Sequence, residues 1–197
     1  MDDANWFIGW PADAWSDPEA LDASVRRLQL PESSRLMVGT DRHVTLAFLG
    51  RCGEQPARRA FDVATTAAAQ MPARIRVDGT RWQLLGSARA PSAVSLLVRA
   101  QDNLLDTLIH GHRGSLCAAA AVTPDQRPPK PHVTVARLSR KLPRADRERL
   151  TGTLSGTGVA ALSLTLDQLS LFTWTEQRDQ RLFRRVASVP LGRSLQS

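Results

Sequence analysis

Two histidines and two threonines hold most of the chemical potential of this chain. The stretch His43-Val44-Thr45-Leu46-Ala47-Phe48-Leu49-Gly50 is echoed by His132-Val133-Thr134-Val135-Ala136-Arg137-Leu138-Ser139. A neutral imidazole accepts a proton and an imidazolium donates one, and both forms are populated near neutral pH because the unperturbed pKa is ~6.5. Two imidazoles on opposite sides of a phosphoryl group would form a matched acid and base. The Thr two residues further on offers a hydroxyl to a phosphoryl oxygen on which charge is developing. Acceptor, donor and anion clamp all come from side chains, so neither a metal nor a cofactor is expected.

The elements around these residues must present both imidazoles to one cleft. In a strand, successive side chains point to opposite faces. His43, Thr45 and Ala47 therefore share one face, with Val44, Leu46 and Phe48 on the core face. The second copy repeats this arrangement, and small Ala47 and Ala136 leave room beside the rings. Pro131 biases Lys130 to an extended backbone and cannot donate to a ladder, so His132 should begin its strand near a cleft rim.

Around these two strands the chain reads as an alternation of short elements. Asn5 to Trp10 suits a first strand. Ser16-Asp17-Pro18-Glu19 reads as a capping box with proline in the first turn of a helix that reaches Gln29. Arg35 to Gly39 suits a strand, Thr40-Asp41-Arg42 a turn, and Glu54 to Gln70 an Ala-rich helix packing through Ala57, Ala60, Phe61, Ala64 and Ala68. Arg74 to Val77, Arg81 to Leu85 and Val94 to Arg99 read as three strands separated by turns at Asp78-Gly79 and Ser87 to Ser92. Asp102 to Ile109 has helical spacing, and Leu116 to Val122 fits helix or strand. The proline-rich Thr123 to Pro131 is an irregular loop. Pro143 to Leu150 reads as a short helix, Thr151 to Gly158 as a connection, and Leu162 to Thr173 and Leu182 to Val189 as closing strands. This order is mixed and largely antiparallel: an α+β fold in a single domain over residues 1–197, with a His-bearing strand in each of two related lobes.

The formal charge is +7 with a pI near 11.0, and of the cations only Lys130 and Lys141 are Lys. Arg suits bidentate phosphate contacts, and a basic surface is compatible with a polyanion such as RNA as well as with simple solubilisation. Cys52 and Cys117 match no metal-ligand spacing. The acidic start, Met1 to Asn5, is unlike a secretory signal, and no apolar run approaches the ~20 residues that span a bilayer. A soluble cytoplasmic monomer with no membrane association is expected.

The two signatures and their flanks resemble the 2H phosphoesterases, which carry two His-x-Thr-x motifs, and within them the RNA 2′,3′-cyclic phosphodiesterase (2′-5′ RNA ligase) branch. His43 to Gly50 and Pro131 to Arg137 are similar to that branch's first and second motifs, and Trp6-Phe7-Ile8-Gly9 to its opening strand. The resemblance implies a bilobal, pseudo-twofold α+β fold, with two mostly antiparallel sheets flanking a central cleft and helices outside. It implies opening of an RNA 2′,3′-cyclic phosphate to a 2′-phosphate, with reversal giving 2′-5′ joining. His43 would protonate the departing 3′ oxygen, His132 would activate water, and Thr45 and Thr134 would bind phosphate. Arg137 would also contact phosphate or nucleotide, although strict alternation puts it opposite His132; either a bulge or strand end intervenes or Arg137 is structural. Phe7 would stack on a base or pack in the core. Leu171-Phe172-Thr173-Trp174 departs from the branch's Ser-bearing pattern.

Other features read as ordinary structure. His110-Gly111-His112 looks like a chelating pair, but its glycine and Arg113 suit an exposed helix end. Arg58-Arg59 and Arg184-Arg185 suit solvated faces, and the tryptophans suit packing. Two competing functions remain: an RNA-binding module without turnover, and the same chemistry on cyclic nucleotides or 2′-5′ oligonucleotides.

Overall fold

The computed structural model describes residues 4–87, 89–159 and 162–192 of the 197, so the acidic Met1 to Asp3 and residue 88 of the Ser87-to-Ser92 turn lie outside the described residues. Nine strands and four α-helices are present among them: β1 (Trp6–Pro11), α1 (Pro18–Arg27), β2 (Arg35–Leu36), β3 (His43–Gly50), α2 (Glu54–Gln70), β4 (Ile75–Gly86), β5 (Pro91–Ala100), α3 (Leu104–Ala119), β6 (His132–Arg137), α4 (Arg144–Gly156), β7 (Ser163–Leu166), β8 (Gln168–Trp174) and β9 (Phe183–Pro190). They form a four-stranded sheet, β3-β1-β8-β9, and a five-stranded sheet, β2-β6-β5-β4-β7, with every pairing antiparallel.

The two sheets share one plan. Each places its His-x-Thr strand beside one partner, β1 or β5, followed by β8 or β4 and then β9 or β7, with β2 added outside β6. Strands β3 and β6, from different sheets, lie against each other. Helix α2 covers β1, β8 and β9 through Ala57, Ala60, Phe61, Ala64, Ala67 and Ala68, and small side chains on one helical stripe let helix and sheet approach closely. Helix α3 rests on α2, β3 and β5, and α4 on β4. One core cluster takes in residues of both sheets and all four helices.

Several elements differ from the sequence expectation for identifiable reasons. The cap of α1 is Asp17, whose carboxylate accepts from the Ala20 N–H at 2.8 Å; Ser16 instead accepts from the Ser163 hydroxyl at 2.9 Å. Asp78-Gly79 does not break β4, which runs on through a register shift between Gly79 and Arg81. Helix α3 continues through Gly111 and Gly114, absorbing most of the ambiguous 116–122 stretch. His110 and His112 therefore sit mid-helix two residues apart, a spacing that points side chains to different sides. Helix α4 runs to Gly156 with Leu150 and Leu154 buried one turn apart; Thr151, Thr153 and Ser155 are accommodated by donating their hydroxyls to the carbonyl four residues back. The 162–173 strand is two strands, β7 and β8, parted at Asp167.

Candidate active site

Each His-x-Thr strand carries a bulge at the same place. In the β1–β3 ladder, Ile8 faces Ala47 and Gly9 faces Thr45, leaving Leu46 as an extra residue. In the β5–β6 ladder, Val94 faces Ala136 and Ser95 faces Thr134, leaving Val135 extra. A bulge inverts the alternation beyond it. Leu46 and Ala47 are consequently both buried, as are Val135 and Ala136, so the alanines expected beside the imidazoles belong to the core. Phe48, expected in the core, is 56% exposed, and Arg137 turns to the face of His132 and Thr134. The bulge is the alternative that brings Arg137 to that face.

The imidazoles are anchored alike. His43 Nδ1 lies 2.7 Å from the Asp41 carbonyl oxygen, and His132 Nδ1 lies 2.7 Å from that of Lys130. A carbonyl oxygen only accepts, so Nδ1 carries the proton in both rings and Nε2 is left as the reactive atom of each. Asp41 is itself buried, and its carboxylate accepts from the backbone N–H groups of Leu182 and Phe183 at 2.8 and 2.9 Å. The turn Gly39–Asp41 is thereby tied to the start of β9.

Beneath His43 lies an aromatic floor. Its ring centroid is 4.4 Å from Phe7 and 5.4 Å from both Phe172 and Phe183, while Phe7 stacks on Phe172 at 4.8 Å and meets Phe183 edge-on at 5.0 Å. Phe7 is 3% exposed, and its faces are occupied within the protein. Of the two roles open to it in the sequence, packing is the one its surroundings fit; it has no face left for a base. Gly9 allows β1 to approach β3 here, since a Cβ would meet the Val44 carbonyl oxygen at 2.5 Å.

Thr134 is positioned by a second hydroxyl, Ser95 Oγ, at 3.0 Å. Ser95 is fully buried and stands on β5 where β1 has Gly9, so Thr45 has no equivalent neighbour.

Charge and burial oppose protonation of both imidazoles. Burial pulls His43 down to about 4, helped by the positive charge of His132, Arg137 and Arg185 and opposed by the Asp41 carbonyl. His132 is also lowered, again by burial first, with Lys130 and Arg137 adding to the effect. Arg137, at the end of β6, thus acts on both rings. Both imidazoles are thus pushed toward the neutral form in a cationic surrounding.

His43, Thr45, His132, Thr134 and Arg137 are brought to one region by β3 and β6. Sequence reasoning missed Asp41, Ser95 and Arg185. Asp41 was hidden in a turn and Arg185 in a pair read as solvated; Ser95, a lone hydroxyl between Val94 and Leu96, was a visible hint of a buried polar partner. Among the described residues no group of three or more His, Cys, Asp or Glu could hold a metal ion, and no helix is long and apolar enough to cross a membrane.

No protein-family model and no curated protein matches the chain by sequence. Solved structures do match its fold. TT0787 of Thermus thermophilus superposes with a TM-score of 0.66 at 16% identity, over 95% of this chain and 98% of that one. LigT of E. coli complexed with 3′-AMP gives 0.62 at 17% identity over 96% and 98%. Usb1 of Kluyveromyces marxianus gives 0.52 at 10% identity over 97% and 98%. The chain shares the α+β fold of these structures, with two antiparallel sheets and the helices described above.

Proposed function

We propose that this chain is a 2H phosphoesterase that opens RNA 2′,3′-cyclic phosphate ends to 2′-phosphates by two-histidine acid–base catalysis. The observation that carries this reading is the matched anchoring of His43 and His132, each donating Nδ1–H to a carbonyl and keeping Nε2 for the cleft, with Arg137 charged beside both.

In this scheme His132 Nε2 takes a proton from water as its oxygen attacks phosphorus. The bond from phosphorus to the 3′ oxygen breaks, and imidazolium His43 supplies the proton that this oxygen needs to leave as a hydroxyl. The product carries a 2′-phosphate and a free 3′-OH, and solvent exchange resets both rings. Thr45, Thr134 and Arg137 hold the phosphoryl oxygens as charge builds on them. Because His43 is neutral in the free site, proton uptake must accompany binding of the phosphate, whose negative charge stabilises the imidazolium. With the 5′-hydroxyl of a second RNA attacking phosphorus in place of water, the same pair would take its proton and supply one to the departing 3′ oxygen, joining the ends through a 2′-5′ bond. The scheme uses no metal or cofactor.

An RNA oligomer ending in a 2′,3′-cyclic phosphate tests the proposal. Appearance of a 2′-phosphate supports it; a 3′-phosphate would reverse the acid and base positions, and binding without any opening would leave an RNA-binding module.

A further inference from the structure

Two adjoining hollows open beside α4, and neither is lined by His43 or His132. One, of about 350 Å³, lies between α4 and the end of the β4–β5 hairpin, walled by residues that include Trp82, Ser87, Pro91 and Arg147. The other, of about 550 Å³, is bounded by Arg89, Arg144, Arg147, Glu148 and Thr151. Arg147 joins them. One end of its guanidinium donates to the Arg89 carbonyl oxygen, while its Nε is buried with no hydrogen-bond partner. The carboxylate in these walls, Glu148, is already paired with Arg144 at 2.7 Å. The walls thus hold three arginines, Arg89, Arg144 and Arg147, against one carboxylate that is already paired, and this excess of positive charge suits an anion.

The position of the hollows is informative. Ala93 stands opposite Arg137, and Pro91, in the wall of the first hollow, is two residues further along β5, about 7 Å at ~3.4 Å per residue. Leu138 donates its N–H to the Ser92 carbonyl at 2.9 Å, fixing the hairpin end against the exit from β6. From there the chain runs Arg137, Arg140, Lys141, Arg144, with no Asp or Glu until Asp146. In sequence, cations therefore dominate the stretch from Arg137 to Arg144 and Arg147, the α4 residues that line the hollows.

We propose that this hollow is a second phosphate site, which holds the backbone of the RNA strand leading away from the reacting terminus. The inference rests on the proposed function: a 2′,3′-cyclic phosphate closes the 3′ end of a strand, so all remaining nucleotides lie to its 5′ side and must leave the cleft somewhere. The arginine forks bind successive backbone phosphates without reading sequence. The site makes the protein favour oligomers over a cyclic mononucleotide.

The test uses R89S/R144S, which removes two side chains remote from the histidines, and Arg147→Gln, checked by circular dichroism for retained fold. Each is compared with the unchanged protein on an RNA oligomer with a cyclic phosphate end and on a 2′,3′-cyclic mononucleotide. The double variant should raise KM for the oligomer by at least about fivefold, with kcat and all mononucleotide constants unchanged. Anisotropy of a labelled single-stranded RNA without the cyclic phosphate should show the slope of log affinity against log salt shrinking by ~0.7 for each phosphate that the variant no longer neutralises. Equal effects on both substrates, or an unchanged oligomer KM and salt slope, would overturn the proposal. If the unchanged protein opens neither substrate, the functional reading fails on its own, and the salt slopes still decide whether the hollow binds a phosphate backbone.

Discussion

Phe48 and Arg137 occupy the same place in two copies of one strand, each five residues beyond its histidine and each turned outward by a bulge two residues earlier. One lobe thus presents an exposed aromatic ring where the other presents a guanidinium. The duplicated site is symmetric in its histidines and asymmetric in what flanks them. Arg137→Ala should weaken substrate binding and slow turnover at least about tenfold, as expected for loss of a charged hydrogen-bonding group worth ~1.5–3 kcal/mol. Phe48→Ala should change stability by less than about 0.5 kcal/mol, because the ring is exposed. Steady-state kinetics and urea denaturation of the two variants measure these effects.

His43→Ala and His132→Ala should each reduce kcat by ~10²–10⁴-fold, the usual contribution of a positioned acid or base. Circular dichroism should remain that of the parent protein, since both rings are half-buried at strand starts. Rapid cyclic phosphate opening by either variant would sink the two-histidine scheme.

The profile of kcat/KM against pH should be bell-shaped and displaced to the acid side of 6.5, because both imidazoles are lowered in the free protein, His43 to about 4. The profile of kcat should lie at higher pH, since bound phosphate favours the imidazolium. Stability carries the same signature. A histidine whose pKa is depressed on folding binds fewer protons in the native state than in the unfolded one, so stability is full above 6.5 and falls as pH drops from 6.5 toward about 4. Denaturation midpoints across that range, with and without inorganic phosphate, check the sign.

Asp41→Asn keeps the size of the side chain and removes one of two acceptors. Either Leu182 or Phe183 then loses its partner for a backbone N–H, at a cost of ~1–3 kcal/mol. Catalysis should fall as well, through displacement of the carbonyl that orients His43. Gly9→Ala provides a companion: its Cβ would meet the Val44 carbonyl oxygen at 2.5 Å, and overpacking of this kind costs ~1–3 kcal/mol. Urea denaturation of both variants gives the numbers.

The paired histidines and threonines were legible because their spacing recurs within a strand-like apolar pattern, and that repeat also revealed the two-lobe α+β plan. The bulges were not legible. Periodicity assumes one residue per pleat, and the extra residue at Leu46 and at Val135 looks like any other apolar strand residue. That single assumption misplaced Ala47, Ala136 and Phe48 and left Arg137 undecided. The extents of β4 and α4 were misjudged for a related reason: glycine and hydroxyl residues were read as breaks, whereas ladder pairing carries β4 through Gly79 and the burial of Leu150 and Leu154 carries α4 past its hydroxyl residues. Asp41 and Ser95 act through tertiary partners far along the chain, which local sequence does not display.

The hydroxyl of Ser95 gives the two threonines different histories before any ligand arrives. Thr134 shares a hydrogen bond with a buried hydroxyl at 3.0 Å, whereas Thr45 stands opposite Gly9, which has no side chain to offer one. Immobilising a side chain on binding costs entropy, so a ligand held by both threonines would find that cost unevenly divided, smaller at Thr134 than at Thr45.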